Sequence, residues 1–358
     1  MVVRSDSILG PRPRAFARLR TRRAAAITTG VALLALALIL GVGLGTVSVA
    51  PSETLGILAR RVLGLPVAVT WSPSTEAIVM DLRLPRVLSA MVVGLGLAVA
   101  GATFQGLLRN PLADPYVLGT ASGAALGAAI GVLIPIRFVF FEFGLLHALA
   151  FVGALVAVYV VYRLSRVGGL TAMTSLLLTG YAVGSVLAAG LAMAMYLSGA
   201  NLRQIFFYLL GSLDGVSWQQ FFVAGPIVVV TTVAILARAR SLDGFLLGEE
   251  VAAHLGIDVR RERAILLALA ALLTAAAVTI AGLIGFVGLV VPHVVRLAVG
   301  PGARGVLPLS ALFGAALLTF ADLGARLLGE IPVGVVTALI GAPFFLFLLR
   351  NVRTGYEL

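Results

Sequence analysis

The stretch Ser241-Leu-Asp-Gly-Phe-Leu-Leu-Gly-Glu-Glu-Val-Ala-Ala-His-Leu-Gly-Ile257 lies between two long apolar runs, at about 218–237 and 264–284. It is too polar to cross a bilayer and too patterned to be a plain loop. Phe245, Leu246, Val251, Ala252 and Leu255 recur at helical spacing, with Glu249, Glu250 and His254 between them. Gly248 and Gly256 punctuate the run. Most connections between membrane helices have no need of an amphipathic helix. One that carries it offers a docking surface to a soluble partner. The segment therefore predicts a membrane protein driven by something outside itself.

Composition supports this. Of 358 residues, 60% are hydrophobic and 11% charged, with mean hydropathy +1.10. Soluble domains carry about 25% charged residues, so most of this chain faces lipid or other apolar helices. Cysteine is absent, which excludes disulfides and Cys-ligated metals. Lysine is absent too, so all 26 basic residues are arginine. A P-loop ATPase places a lysine on the phosphates. This chain has none, so ATP and its Mg would be bound by a separate subunit, and no cofactor is expected here.

The net charge of +11 could suggest nucleic acid, but its arrangement argues against that partner. Seven arginines, Arg4 to Arg23, precede the first apolar run, and most of the others flank later runs. This is the positive-inside pattern, with anionic membrane lipid as the neighbour.

Windows of about 20 apolar residues are long enough to cross the hydrocarbon core. Ten are present, at roughly 24–49, 87–108, 116–135, 144–163, 173–197, 218–237, 264–284, 286–299, 306–328 and 332–350. The fold class is an all-α membrane protein. The eighth span is short and holds Pro292 and His293. The first ends in Ser48-Val49-Ala50, which looks like a signal-peptidase site, but its apolar core is far longer than a signal segment, so an uncleaved helix is expected. The chain divides into an Arg-rich segment at 1–23, a transmembrane domain at 24–350 and a tail at 351–358. With the N-terminus inside, 19 of the 26 arginines lie on the cytoplasmic side. That orientation places both termini and the 241–257 segment in the cytoplasm of a multi-pass protein of the cell (inner) membrane.

Inside the spans, small residues such as Gly94, Gly96, Gly123 and Gly127 are spaced for close helix packing. Buried carboxylates of a proton relay are missing, with Asp322 as the main exception. Asp322 stands four residues before Arg326, the spacing of an intrahelical ion pair. An ion-coupled secondary transporter is the alternative reading, and this scarcity counts against it. Spans two to five and seven to ten would run in opposite orientations, as inverted repeats do. Ser122-Gly-Ala-Ala-Leu126 echoes Phe313-Gly-Ala-Ala-Leu317. His147, His254 and His293 lack metal-ligand spacing and read as packing residues.

Leu82-Arg-Leu-Pro-Arg-Val87 enters span two from the outside, against the charge bias. Its arginines either snorkel at the headgroups or meet acidic residues of a partner. Span two runs into Gly106-Leu-Leu-Arg-Asn-Pro-Leu-Ala-Asp-Pro-Tyr-Val-Leu-Gly119, where Asn110-Pro111 and Asp114-Pro115 are turn signals. Together these stretches resemble the FecCD family, the permease subunits of iron-chelate, haem and cobalamin importers. Gly285-Phe-Val-Gly-Leu-Val-Val-Pro-His293, Ala321-Asp-Leu-Gly-Ala-Arg326, Ile331-Pro-Val-Gly-Val-Val-Thr-Ala-Leu-Ile-Gly-Ala-Pro343 and Leu247–Gly256 fit it as well. The resemblance covers about residues 30–350.

It implies the type II ABC importer permease fold, a homodimer of ten-helix subunits around one axial path. Two ATP-binding subunits would bind below and an extracytoplasmic substrate-binding protein above. By match to the family's motifs, Arg83, Arg86 and Arg326 take the binding-protein docking role. Leu247, Gly248, Glu249, Glu250, Ala252, Leu255 and Gly256 take the ATPase coupling role, passing motion to spans three to five and ten. Asn110, Pro111, Leu112, Thr174 and Ser175 match the cytoplasmic gate. Taken alone, Thr174 and Ser175 fit simple back-bonding to helix carbonyls. Asn201–Gly211 reads as a short amphipathic helix at the outer surface. Met193 and Arg203 are candidates for the substrate path, against helix packing and interfacial anchoring.

Overall fold

A computed structural model describes residues 13–136, 139–140, 142–167, 170–171 and 173–353. The arginines up to residue 12, Arg137 and the last five residues lie outside the described part.

Helix α1 covers Pro13–Gly43, and a short outer helix α2 follows at Pro51–Arg61. Helix α3 (Pro73–Ala77) passes through a π-helical turn, Ile78–Arg83, into α4 (Leu84–Leu107). Then come α5 (Thr120–Leu133), α6 (Leu145–Leu164), α7 (Met173–Leu197) and the short α8 (Leu202–Leu210). Helix α9 (Trp218–Ala237) leads into α10 (Ala239–Leu247) and α11 (Glu249–His254). The remainder is α12 (Val259–Ala281), α13 (Val287–Val299), α14 (Ala303–Leu327) and α15 (Val333–Arg353). Sheet structure among the described residues is limited to two antiparallel pairs of two-residue strands, flanking α6.

Seven helices among the described residues are long and apolar enough to cross a membrane, and three shorter apolar helices join them. Together they correspond to the ten expected spans. The signals at their ends are local. Ser217 caps α9 by accepting from the Gln220 amide, and Asp258 caps α12 by accepting from the Arg261 amide.

The short helices α5 and α13 have 14 and 13 residues. At 1.5 Å per residue each reaches only about 20 Å, well short of a bilayer core. Each is preceded by non-helical backbone, residues 108–119 and 282–286. The two breaks meet, because Tyr116 Oη donates to the Ile284 carbonyl at 3.0 Å and accepts from the Ile284 amide at 3.1 Å. Irregular backbone is tolerated in a membrane where protein surrounds it and satisfies its polar groups. The breaks occupy equivalent places in the two expected repeats. The sequence echo does not: 122–126 lies in the third span and 313–317 in the ninth, which are not equivalent. Both stretches serve close packing instead. A Cβ on Gly123 would collide with the Gly153 carbonyl of α6, and one on Gly314 would collide with Ala98 and Gly94 of α4.

Helices α4, α12 and α14 form the centre, with at least 72% of their apolar stretches buried, whereas only 11% of α7 is covered. Leu178, Tyr181, Val186, Met193 and Tyr196 all stand exposed on α7. We call the end bearing α10 and α11 the inner end and the opposite one the outer end, after the orientation expected from the arginines.

Candidate functional site: two polar ends of the bundle

At the outer end the π-helical turn sets the position of Arg83. Its guanidinium donates to the carbonyls of Val42 at 3.1 Å, Gly43 at 2.9 Å and Val47. Arg326 donates to Gly41 at 2.9 Å and Leu44 at 3.2 Å. Apart from Val47, which lies just beyond the helix, these carbonyls close α1, where an α-helix leaves its last acceptors unpaired. Two arginines from other helices thus cap α1, with charge matched to the negative end of its dipole. Arg86 faces the other way. Its Nε donates to Asp322 at 3.0 Å, and its Nη1 reaches Glu330 at 2.9 Å and Asp214 at 3.5 Å. Asp322 also pairs with Arg326 at 3.2 Å, the intrahelical pair expected from the spacing.

The three arginines expected to project outward are therefore buried, at 5%, 9% and 3% exposure, and already partnered within the protomer. They line an outer cavity of about 320 Å³, together with Asp81, Asp214, Ser217 and Glu330. The sequence reading missed Asp214 and Glu330. Both stand on the arginine-bearing outer side in a chain with only 15 acidic residues, which was the available signal. Glu330 holds a left-handed φ of 59°, uncommon for a residue with a side chain, as its carboxylate reaches Arg86.

The loop expected to form the gate is built from two successive Asx-Pro turns. Asn110 Oδ1 accepts from the Leu112 amide at 2.9 Å, and Asp114 Oδ1 accepts from the Tyr116 amide at 2.8 Å. Each proline supplies the fixed φ of its turn and, lacking an N–H, needs no acceptor. Burial pushes the Asp114 carboxyl up to about 6, against the pull of the Tyr116 amide. Thr174 is exposed at the start of α7. Ser175 donates to the Ser165 carbonyl at 3.0 Å, tying α7 to the end of α6. That contact replaces the back-bonding within its own helix that the residue type suggests.

At the inner end, Gly248 turns α10 into α11 with φ 109°, a conformation that favours glycine. Leu247 at 65%, Val251 at 43% and Leu255 at 64% stand exposed, while Ala252 is buried beneath them. Gly256 ends α11 in the left-handed region with φ 82°. Glu250 is exposed, and Glu249 pairs with Arg263 of α12. Arg238, where α9 ends, pairs with Glu262 at 2.5 Å. The main contacts of this elbow run to α4, α9, α12 and α14. They do not run to spans three to five and ten, where its motion was expected to enter, because the polar anchors stand on α12 and α14. A Cβ at Gly248 would lie 3.8 Å from the Arg109 guanidinium, so the elbow also neighbours the loop carrying Asn110.

Met193 is exposed on α7. Arg203 is exposed on α8, with its guanidinium 5.4 Å from the centre of the Phe207 ring, a cation–π contact. No cluster among the described residues could hold a metal ion.

Residues 33–351 match the family model described as the FecCD transport family. The chain belongs to this family. It is 44% identical over 302 residues to the cobalamin import system permease protein of Halobacterium salinarum, across 84% of this chain and 79% of that one. It is 40% identical over 318 residues to the hemin transport system permease protein of Yersinia pestis, across 84% of this chain and 93% of that one. A solved metal-chelate type ABC transporter in an inward-facing conformation superposes with TM-score 0.78 at 28% identity, covering 90% of this chain and 98% of that one. The FecCD chain is thus a multi-pass ABC importer permease with the type II fold.

Proposed function

We propose that this FecCD permease is the membrane-spanning subunit of an ATP-driven importer. It moves a metal chelate of the ferric siderophore, haem or cobalamin class into the cytoplasm by alternating access. The observation that carries this reading is the inner elbow. Three large apolar side chains, Leu247, Val251 and Leu255, protrude from a turn anchored to α12 and α14. Among the described residues they stay exposed, and a soluble ATPase groove would cover them. Two such subunits, binding ATP and Mg, would serve two copies of this chain. The apolar face of α7 is where the second copy would sit, leaving Met193 and Arg203 toward the shared path.

A substrate-binding protein would dock over the outer cavity. Its acidic side chains would have to enter the cavity and displace Asp214 or Glu330 to reach Arg86. Arg83 and Arg326 would hold the floor of that cavity in place. The loop at Asn110, Pro111 and Leu112, with Thr174 and Ser175, would close the inner end of the path. The secondary-carrier alternative is not favoured, since the buried carboxylate of Asp322 is held between Arg86 and Arg326.

The test is reconstitution with the candidate ATPase and binding protein. ATP-dependent uptake of ferric siderophore, haem or cyanocobalamin is expected. Uptake driven by an ion gradient without ATP would overturn the reading. The docking role predicts that Arg86→Gln, in a complex that still assembles and hydrolyses ATP, abolishes stimulation of hydrolysis by the binding protein.

A further inference from the structure

Helix α14 begins without a cap of its own. Its N-cap residue is Gly302, which has no side chain to accept from the first-turn amides, and its first turn carries no acidic residue. The missing acceptor comes from another element. Asp243, in the middle of α10, accepts from the Ala303 amide at 2.6 Å. A carboxylate there satisfies one of the four unpaired N–H groups and meets the positive end of the helix dipole. The preceding residue grips the neighbouring helix. Leu242 is buried against Gly106 of α4, where even a Cβ would clash with its side chain. Two consecutive residues of the inner elbow thus seat it on α4 and α14 together.

These two helices are packed backbone to backbone and bonded at the outer end. A Cβ on Gly94 would collide with the Gly314 carbonyl, so the backbones are in direct contact near mid-length. At the outer end Arg86 of α4 is bonded to Asp322 of α14 at 3.0 Å. With 25 residues, α14 extends about 37 Å, enough to connect the two polar ends of the molecule. A packed pair clamped at both ends resists bending and transmits displacement.

We infer that Asp243 is a positioning residue for coupling: it locks the inner elbow to the α4–α14 pair, and this pair carries motion between the ATPase face and the outer cavity. The inference rests on the proposed coupling role of the elbow.

The absence of cysteine makes a direct test possible. Thr46 is exposed and lines the outer cavity. In the complex with its ATPase in nanodiscs, the Thr46→Cys variant is labelled with a charged maleimide, with and without ATP and vanadate. The trapped state should change the labelling rate by at least about fivefold, the lower end of typical coupling between sites. Asp243→Ala should abolish that change while the ATPase still co-purifies. Asp243→Asn should retain it, because its amide oxygen can still accept from Ala303. An Asp243→Ala complex that keeps the nucleotide-dependent change overturns the inference. So does one that loses the ATPase, since Asp243 would then merely fold the elbow. If the complex hydrolyses ATP but labelling of the Thr46→Cys variant never responds, the relay is wrong and the importer reading stands. If the permease binds no ATPase at all, the importer reading itself fails.

Discussion

The outer and inner ends of α14 solve opposite problems with similar residue types. At the outer end, charge is buried and internally balanced: Arg86, Asp322 and Arg326 are all below 10% exposed. At the inner end, charge anchors the rim and apolar side chains protrude, with Leu247 and Leu255 each more than 60% exposed. A buried network whose charges are paired within the protomer fixes how three helices meet. An exposed apolar set on an anchored turn is, on the proposed function, the surface that the ATPase covers. The contrast separates side chains already partnered within the protomer from side chains left exposed at its rim, and it can be broken by mutation.

The largest effect is expected for Asp322→Ala. It leaves Arg86 and Arg326 buried beside a lost partner, at about 3–5 kcal/mol. Thermal unfolding in detergent should show it as a collapse in folded yield, while Arg86→Met combined with Asp322→Leu should be milder, because Arg326 is then the one buried arginine left without its carboxylate. If the single change is tolerated, the outer network is not structural.

Gly248→Val comes next, at roughly 1–3 kcal/mol of local strain, because a β-branched residue resists φ 109°. Its strain is confined to the elbow. Membrane insertion should survive, and the amount of cargo moved per ATP hydrolysed should fall sharply.

Leu247→Glu with Leu255→Glu should leave unfolding unchanged and weaken ATPase binding by about tenfold per residue. Pull-down of the ATPase subunit measures this. A fall in stability without loss of binding would reverse the assignment of the two ends.

The smallest effect concerns the loop between α4 and α5. The Asp114 carboxyl is raised from 3.8 to about 6 by burial, so the folded state holds its proton more tightly than the unfolded chain. Its stabilising contribution is full below about pH 4 and lost as pH rises through about 6. Because the side chain keeps some solvent contact, the change is on the order of 1 kcal/mol. Thermal stability should decline between about pH 4 and about pH 6, and Asp114→Asn should flatten that decline.

Much of the fold was legible because its signals are local. Long apolar windows, Asx-Pro pairs and glycines at Gly248 and Gly256 act within a few residues of themselves. The Asp322–Arg326 pair was readable for the same reason, as one helical turn fixes its geometry. The elbow at 241–257 was readable because amphipathic spacing persists whatever surrounds it. The burial of Arg83 and Arg86 was not readable. An arginine beside a membrane helix looks the same in sequence whether it meets water, lipid or the end of another helix. Its partners here lie 36 to 244 residues away.

The sequence by itself determined that this chain crosses a membrane about ten times, cannot hydrolyse ATP through a P-loop, and carries an amphipathic elbow between its sixth and seventh spans. Those properties follow from composition and short-range periodicity, which every window of the chain displays. Only the tertiary structure decided that Arg83 and Arg326 cap α1, that Arg86 is neutralised by Asp322 and Glu330, and that Asp243 seats the elbow on α14. Each is a meeting of groups far apart in the chain. Such meetings are selected by the cost of burying a charge or a helix end without a partner, and that cost exists only once the helices have packed.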